Sequence, residues 1–581
     1  MENQNFCLKR THYCGQVLED CVGNEVVVCG WVQRQRDLGQ LIFIDLRDRS
    51  GIVQLAFDEG SDREIFNKAY SLRSEFVIAA KGVVRERSSK NPQIPTGNIE
   101  IFVNTLHIFS KSDITPFEIL DEAKVKEELR LKYRYLDLRR KSVQEKIVAR
   151  SQIIKMAREY LDKHGFIEIE TPLLIKSTPE GARDYLVPSR IFPGKFFALP
   201  QSPQIYKQLI MMAGFDRYMQ IAKCFRDEDL RADRQPEFTQ IDFEMSFVDS
   251  EDIMKMVEGL IYKIYKNLLN FEVPLPLPRI TYEESMRRFG SDKPDMRFQL
   301  ELIDLTDLLK NTNFRVFADA VNSGGSVGAI NVPRGASKIS RKEIDKLGDW
   351  IKDYGASGLA WTKLNEDGNA SSSYEKSLSE ETVLSIREKT NLKNGDLLFL
   401  IANVSRETVL QSLGALRLEI AKKLSLIDDS KPNLLWVYDF PLFEFSKEEG
   451  RYVAQHHPFT MPKECDIQYL ESHPEKVCAM AYDLVLNGNE VGGGSIRIHD
   501  PALQQQIFKA LEISQECARE SFGFLIEALK YGAPPHGGFA FGLDRLVMLL
   551  TKSGSIRDTI AFPKVSSTAE LMSGAPADKV L

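Results

Sequence analysis

Phe225-Arg226-Asp227-Glu228, a charged loop, then Pro236-Glu237-Phe238-Thr239-Gln240-Ile241-Asp242: this stretch reads as a strand, a loop and a returning strand. Arg226 stands where a guanidinium can approach a phosphate and stabilise charge developing on it. Glu228 lies two residues on, so strand alternation places it on the same face. Phe238 offers an aromatic face, and Gln235 sits in the loop between the strands. Alone, Arg226-Asp227-Glu228 would read as a salt-bridged surface strand. Two further segments reverse that preference. His164-Gly165-Phe166-Ile167-Glu168-Ile169-Glu170-Thr171-Pro172 follows a helical pattern from Val143 to His164 and sets a strand before a proline. Gly538-Phe539-Ala540-Phe541-Gly542-Leu543-Asp544-Arg545-Leu546 is a glycine-rich strand running into a helix. There Gly542 lets the backbone pass close to a ligand, and Arg545 can clamp a terminal phosphate.

The rest of the chain fits around these segments. Its 581 residues exceed one ordinary core, so about three domains are expected. Hydrophobic content of 43% and charged content of 27% suit a soluble globular protein. A net charge of −7 argues against diffuse nucleic-acid binding but leaves room for a local basic face. The opening Met1-Glu2-Asn3-Gln4-Asn5 lacks a basic, then apolar, leader, and no run is apolar enough for a membrane span. The eight cysteines include no C-x-x-C pair. Cys7, Cys14, Cys21 and Cys29 fall at near-heptad spacing, yet Cys29 lies in an apolar strand-like run and no histidine joins the set. Reduced thiols in a cytoplasmic protein are the expectation.

Residues 1–110 carry short apolar runs separated by turn signals: Val26 to Val32, Leu41 to Leu46, Ile52 to Phe57, Phe76 to Ala80 and Ile99 to Val103. About five strands in about a hundred residues predict a small closed barrel of the OB type. Residues 111–130 are charged and aperiodic, a linker. A catalytic domain is expected over 131–299 and again over 431–581, where Leu435-Trp436-Val437-Tyr438-Asp439-Phe440-Pro441 resumes the strand pattern. The prolines of Pro274 to Pro278 end a helix running from Ile253 to Leu269. Between them, 300–430 changes character, with Gly, Ser and Lys rising, and is long enough to be an inserted domain. The overall expectation is a multidomain α+β protein.

No G-x-x-x-x-G-K-[ST] loop is present, so a nucleotide must be held without one. In order, the three segments resemble motifs 1, 2 and 3 of the class II aminoacyl-tRNA synthetases. The resemblance implies an antiparallel-sheet catalytic core that activates an amino acid with ATP and loads it onto tRNA. It assigns Arg226 and Arg545 to catalysis on the phosphates. It assigns Arg226, Asp227, Glu228, Gln235, Phe238, Glu490, Gly542, Leu543, Asp544 and Arg545 to ATP. Asp483 and Glu490, in strands flanking an Asn487-Gly488 turn, become Mg²⁺ ligands. Motif 1 implies a symmetric homodimer.

Three further segments choose the amino acid. Thr178-Pro179-Glu180-Gly181 carries an acid suited to an ammonium group, Gln204 and Lys207 stand one helical turn apart, and Arg497 follows the glycine run Gly492-Gly493-Gly494. Two cations aimed into one pocket ask for an anionic side chain. The pattern resembles the aspartyl-tRNA synthetases of the bacterial type. By that resemblance Lys207 and Arg497 bind the substrate's side-chain carboxylate, and Glu180, Gln204 and Asp242 hold its ammonium. His456 would sit beside the substrate carboxylate and His457 nearer the phosphate. A site built for an anion can reject asparagine by ~10⁴–10⁵ without editing, so the insertion need not be a second sieve. A lysyl enzyme would need acids in place of the two cations, and a non-catalytic relative should have lost Arg226, Glu490 or Arg545.

The barrel resembles an anticodon-binding domain, with Phe43 stacking and Arg36 and Gln54 contacting bases or phosphates. By its apolar strand alone, Phe43 would read as core. Arg130 to Lys141 forms a local basic stretch, either a tRNA contact or a solvated face. The expected acceptor is tRNA(Asp), with tRNA(Asn) open as a second.

Overall fold

The computed structural model describes residues 8–178, 181–228 and 233–578. The chain forms two compact units. The first holds five strands, β1 (Glu25–Asp37), β2 (Ile42–Asp48), β3 (Gly51–Phe57), β4 (Val77–Glu86) and β5 (Ile99–Ser110). They close as β1-β2-β3-β5-β4, the predicted barrel. Strict alternation along β2 turns Ile42, Ile44 and Leu46 inward and leaves Phe43, Asp45 and Arg47 half-buried outside. Helix α1 (Arg63–Ser71) follows β3, its first turn capped by Asp62, whose carboxylate accepts from the Glu64 and Ile65 amides.

The contacts of this unit continue to Val148 and include Ala561–Val565 and the described residues from Ala569 onward, so its limit lies beyond the 111–130 linker expected from composition. Apolar anchors make the difference: Phe117, Ile119 and Leu136 form a small core of their own. Part of the basic stretch turns inward, while Lys132 and Lys141 stay exposed. Asp137 is fully buried and pairs with Arg134 at 2.5 Å, Arg140 at 3.2 Å and Arg130 at 3.5 Å. Arg139 pairs with Glu75 at 2.8 Å.

The second unit is built on eight strands: β6 (Ile167–Glu168), β7 (Arg217–Phe225), β8 (Glu237–Ser246), β9 (Arg279–Thr281), β10 (Leu434–Tyr438), β11 (Ala481–Leu486), β12 (Asn489–Ile496) and β13 (His536–Gly542). Their order is β9-β10-β11-β12-β13-β8-β7-β6, antiparallel except at the two outer pairs. One face is apolar. Ile241, Phe243 and Met245 of β8 and Phe539 and Phe541 of β13 pack against Ile253, Val257, Leu260 and Ile261 of a long helix, Ser250–Leu269. A capping box from Asp249 and Asp252 starts that helix, and it ends at Leu269 on Asn270, which takes the left-handed conformation, five residues before the proline run begins at Pro274.

The inserted region has its own sheet, ordered 303–304, 326–332, 397–403, 360–364, 370–372, with hydrophobic clusters of its own. It nevertheless belongs to the second unit by contact. Among the described residues no helix is long and apolar enough to cross a membrane.

Candidate active site

The polar face of the sheet is as regular as the apolar one. On β8, Gln240, Asp242 and Glu244 alternate with the core residues and stand opposite Gly542, Ala540 and Gly538 of β13. Small residues there leave a low floor across which carboxylates can lie. A methyl group on Gly538 would come within 1.9 Å of Glu244 Oε2, and one on Gly493 within 2.2 Å of Asp483 Oδ1. Gly538 and Gly493 are therefore the positions where neighbouring carboxylates leave no room for a side chain.

Above this floor lies a buried ion cluster. Helix α2 (Gln204–Met212) brings Lys207 Nζ to 2.7 Å from Asp242 and 3.2 Å from Glu244. Arg497, just past β12, donates from Nε to Glu244 Oε1 at 2.9 Å, and from Nη1 to Ser495 Oγ at 2.5 Å and His457 Nε2 at 2.7 Å. All four charged groups are no more than 2% exposed. The picture of two uncompensated cations is thus corrected: two carboxylates already balance them. Glu244 was not read from the sequence, although alternation from Asp242 along the strand points to it. Burial would raise its carboxyl, but Arg497 and Lys207 hold it down at about 2. Asp242 goes the other way, raised by burial despite Lys207. Asp242 Oδ2 and the Gln204 side-chain nitrogen are buried without a hydrogen-bond partner among the described residues.

Both histidines line the first cavity, and His457 joins Arg497. A guanidinium only donates, so His457 Nε2 accepts from Arg497, while on the other side of the ring Nδ1 faces the Phe459 amide, which donates to it at 3.2 Å, and Thr460 Oγ1 at 3.4 Å. Burial, then Arg497, keep this ring neutral, its pKa well below the usual value. His456 meets Phe440 edge-on at 5.0 Å and lines the cavity, which measures about 360 Å³. Glu180 lies outside the described residues.

A second pocket of about 240 Å³ shares Arg226, Gln240, Glu490 and Ala540 with the first, making one cleft. Arg226 lies 5.2 Å from the centre of the Phe238 ring. Glu228, Gln235, Gly542 and Arg545 also line this pocket. Arg545 donates to the Glu490 carbonyl at 2.7 Å and to Asp233 at 3.0 Å. Two residues expected at the nucleotide have side chains that also tie the fold together, and one of them, Asp544, lines this pocket as well. Leu543 is fully buried in the main core. Asp544 accepts from the Thr239 amide at 2.8 Å and from Arg150, tying the third motif to β8. Asp227 pairs through its backbone with Arg183 and is not part of the cleft lining.

Asp483 and Glu490 both face the first cavity, joined by Asp292, which the sequence reading missed. Burial, then Glu490 and Asp292, push the Asp483 carboxyl well above its usual range. Among the described residues no three His, Cys, Asp or Glu side chains converge as metal ligands.

Residues 126–566 match the family described as tRNA synthetases class II (D, K and N), and residues 26–109 match the OB-fold nucleic acid binding domain. The chain belongs to the class II tRNA synthetases. The synthetase is 57% identical over 573 residues to an aspartate–tRNA(Asp/Asn) ligase of Thermoanaerobacter sp. (strain X514), covering 98% of this chain and 96% of that one. It is 54% identical over 571 residues to an aspartate–tRNA ligase of Ruminiclostridium cellulolyticum, with the same coverage. Its fold is that of a solved asparaginyl-tRNA synthetase from Pyrococcus horikoshii, with a TM-score of 0.60 at 20% identity over 96% of this chain and 98% of the other.

The barrel of the synthetase presents the three residues chosen for RNA on one outer face. Arg36 donates to Gln54 at 2.8 Å and to Asp45 at 3.2 Å, and lies 5.5 Å from the Phe43 ring centre. Gln54 in turn donates to Glu100 at 2.6 Å. Phe43 is outside the barrel core and lines a shallow pocket with Arg85, Ser88 and Glu100.

Proposed function

We propose that this synthetase is an aspartate–tRNA ligase, forming aspartyl-adenylate from L-aspartate and ATP and transferring aspartate to the 3′ end of tRNA. The observation that carries the substrate is the donor count around the ion cluster. A guanidinium has five N–H donors, and four of those on Arg497 meet Glu244 twice, Ser495 and His457. Lys207 has three, and two meet Asp242 and Glu244. One hydrogen remains on each cation, the number a bridging carboxylate accepts. Asparagine would turn an amide N–H₂ donor toward one of these donors. The unpartnered Asp242 Oδ2 suits the α-ammonium, with Gln204 beside it.

The remaining roles follow from the cleft. The aspartate α-carboxylate attacks the α-phosphorus in line and pyrophosphate leaves. Arg226 faces the developing negative charge, with Phe238 under the adenine and Glu228, Gln235 and Arg545 along the nucleotide. Asp483 and Glu490 would hold Mg²⁺, which supplies positive charge to the phosphate oxygens when bound. Asp483 fits this role, since it is buried among like charges with no protein cation bonded to it among the described residues. The tRNA ribose hydroxyl then attacks the mixed anhydride, and the adenylate phosphate can take its proton. Arg36, Phe43 and Gln54 read the anticodon.

The exposed edge strand β6, with Ile167, Leu173 and Leu174 each more than 40% exposed, supports a homodimer through motif 1. A cytoplasmic location is part of this reading, supported by the finding that among the described residues no helix is long and apolar enough to cross a membrane. The acceptor is tRNA(Asp), and the two relatives differ in whether their names include tRNA(Asn). ATP–pyrophosphate exchange across the amino acids, then charging of both tRNAs, tests the reading. Exchange with aspartate and not asparagine is expected; exchange with another amino acid overturns the pocket.

A further inference from the structure

The segment from Phe289 to Leu300 leads from the catalytic sheet into the inserted domain, and it is held by an arginine that has no carboxylate partner among the described residues. Arg417, on the inserted domain's helix Arg406–Lys423, is 1% exposed. It donates to three backbone carbonyls: Leu300 at 2.8 Å, Asp295 at 2.8 Å and Phe298 at 3.0 Å. Its guanidinium lies 4.0 Å from the Phe298 ring centre and 4.9 Å from that of Phe289. Leu300 has φ +107°, a conformation that a bulky side chain adopts only when its surroundings impose it. The Arg417 bond to its carbonyl supplies part of that constraint. At the other end, Gly290 and Gly414 touch backbone to backbone, where a methyl group on Gly414 would fall 2.3 Å from the Gly290 carbonyl oxygen.

This strap reaches the catalytic cleft at two points. Asp292 lines the cavity beside Asp483 and Glu490, and its one ion partner among the described residues is Lys293 at a loose 3.8 Å. Asp295 packs under Gly488, the turn joining β11 to β12, the strands that carry Asp483 and Glu490. Asp295 is itself fixed by Arg297 at 2.7 Å.

We propose that the inserted domain positions the nucleotide end of the active site: Arg417 holds the strap, and the strap sets Asp292 and the β11–β12 turn. Arg417 is a positioning residue, and Asp292 is a further carboxylate acting on bound Mg·ATP. The inference rests on the reading of Asp483 and Glu490 as the cation end of the cleft.

The test is calorimetric binding of ATP with Mg²⁺ to the full chain, without aspartate or tRNA, for Asp292→Asn, Arg417→Lys and the double variant. Arg417→Lys keeps the charge but loses the fork, so it spares the fold better than truncation. Each single change is expected to weaken binding on the order of ten-fold, and the double change no more than the worse single, because both act through one strap. Hydrogen exchange should rise over 289–300 and 481–491 in Arg417→Lys. Phe317→Ala, a core change elsewhere in the inserted domain, should lower the melting temperature without moving ATP affinity. Unchanged affinity in Arg417→Lys, full additivity in the double variant, or an equal loss in Phe317→Ala overturns the proposal. Failure of the wild type to bind Mg·ATP would instead remove the underlying reading of the cleft.

Discussion

Arg497 illustrates how one residue serves both fold and substrate. Replacing it with leucine leaves Glu244 buried with Lys207 alone, and breaking a buried pair costs about 3–5 kcal/mol. Aspartate-dependent exchange in Arg497→Leu should fall about 10³-fold or more, while ATP affinity measured by calorimetry changes only a few-fold. Near-normal aspartate activation would refute the pocket. Glu244 makes a pH prediction. Its folded pKa of about 2 lies below the ordinary 4.5, so the unfolded chain binds the proton more readily. Its stabilising contribution is complete above about pH 4.5 and disappears as the pH falls toward about 2. The melting-temperature gap between the wild type and Glu244→Gln should be level at neutral pH and close across that window. A gap that stays constant into strong acid would mean that Glu244 is not held ionised by the two cations.

At the scale of the strand, the site depends on what β12 and β13 lack. Gly538 faces both Glu244 and the Phe243 carbonyl, which cannot swing aside, at 1.9 and 2.2 Å from an added methyl. Gly538→Ala should destabilise by about 1–3 kcal/mol through overpacking and should lower aspartate activation in step, read by thermal melting and exchange. Gly542 is the contrasting case. Its nearest neighbour to an added methyl is the Val491 carbonyl at 3.9 Å, so Gly542→Ala should fold normally and lose affinity for ATP alone. Equal melting losses in the two variants would contradict this division between packing and ligand approach.

For the whole molecule, the two units separate two kinds of readout. Phe43 stands outside the barrel core, and stacking on a base contributes about 1–3 kcal/mol. Phe43→Ala should weaken tRNA binding about 5- to 100-fold while leaving ATP–pyrophosphate exchange intact; loss of exchange would indicate a folding role instead. The exposed edge at Ile167, Leu173 and Leu174 predicts that a Leu173→Glu, Leu174→Glu double variant sediments as a monomer where the wild type sediments as a dimer. A wild-type monomer would remove the motif 1 assignment.

Local chemistry was legible from residue order. Alternation places Ile42, Ile44 and Leu46 inside a barrel, the helix expected before the proline run ends at Leu269, and Arg226, Phe238 and Arg545 keep company with Glu490 in one cleft. These readings need only neighbours a few positions apart or a family pattern. Contacts between distant residues were not legible, because which charges meet depends on how strands cross. Glu244 joins Asp242 in balancing the charge of Lys207 and Arg497, and His457 reaches Arg497. Arg134 and Arg140, basic in sequence, turn inward to Asp137. Asp544, although within the third motif, braces Thr239 and Arg150, and Arg417 holds a strap more than a hundred residues away in sequence. A burial-driven charge must find its partner wherever the fold supplies one, and that choice is made in three dimensions.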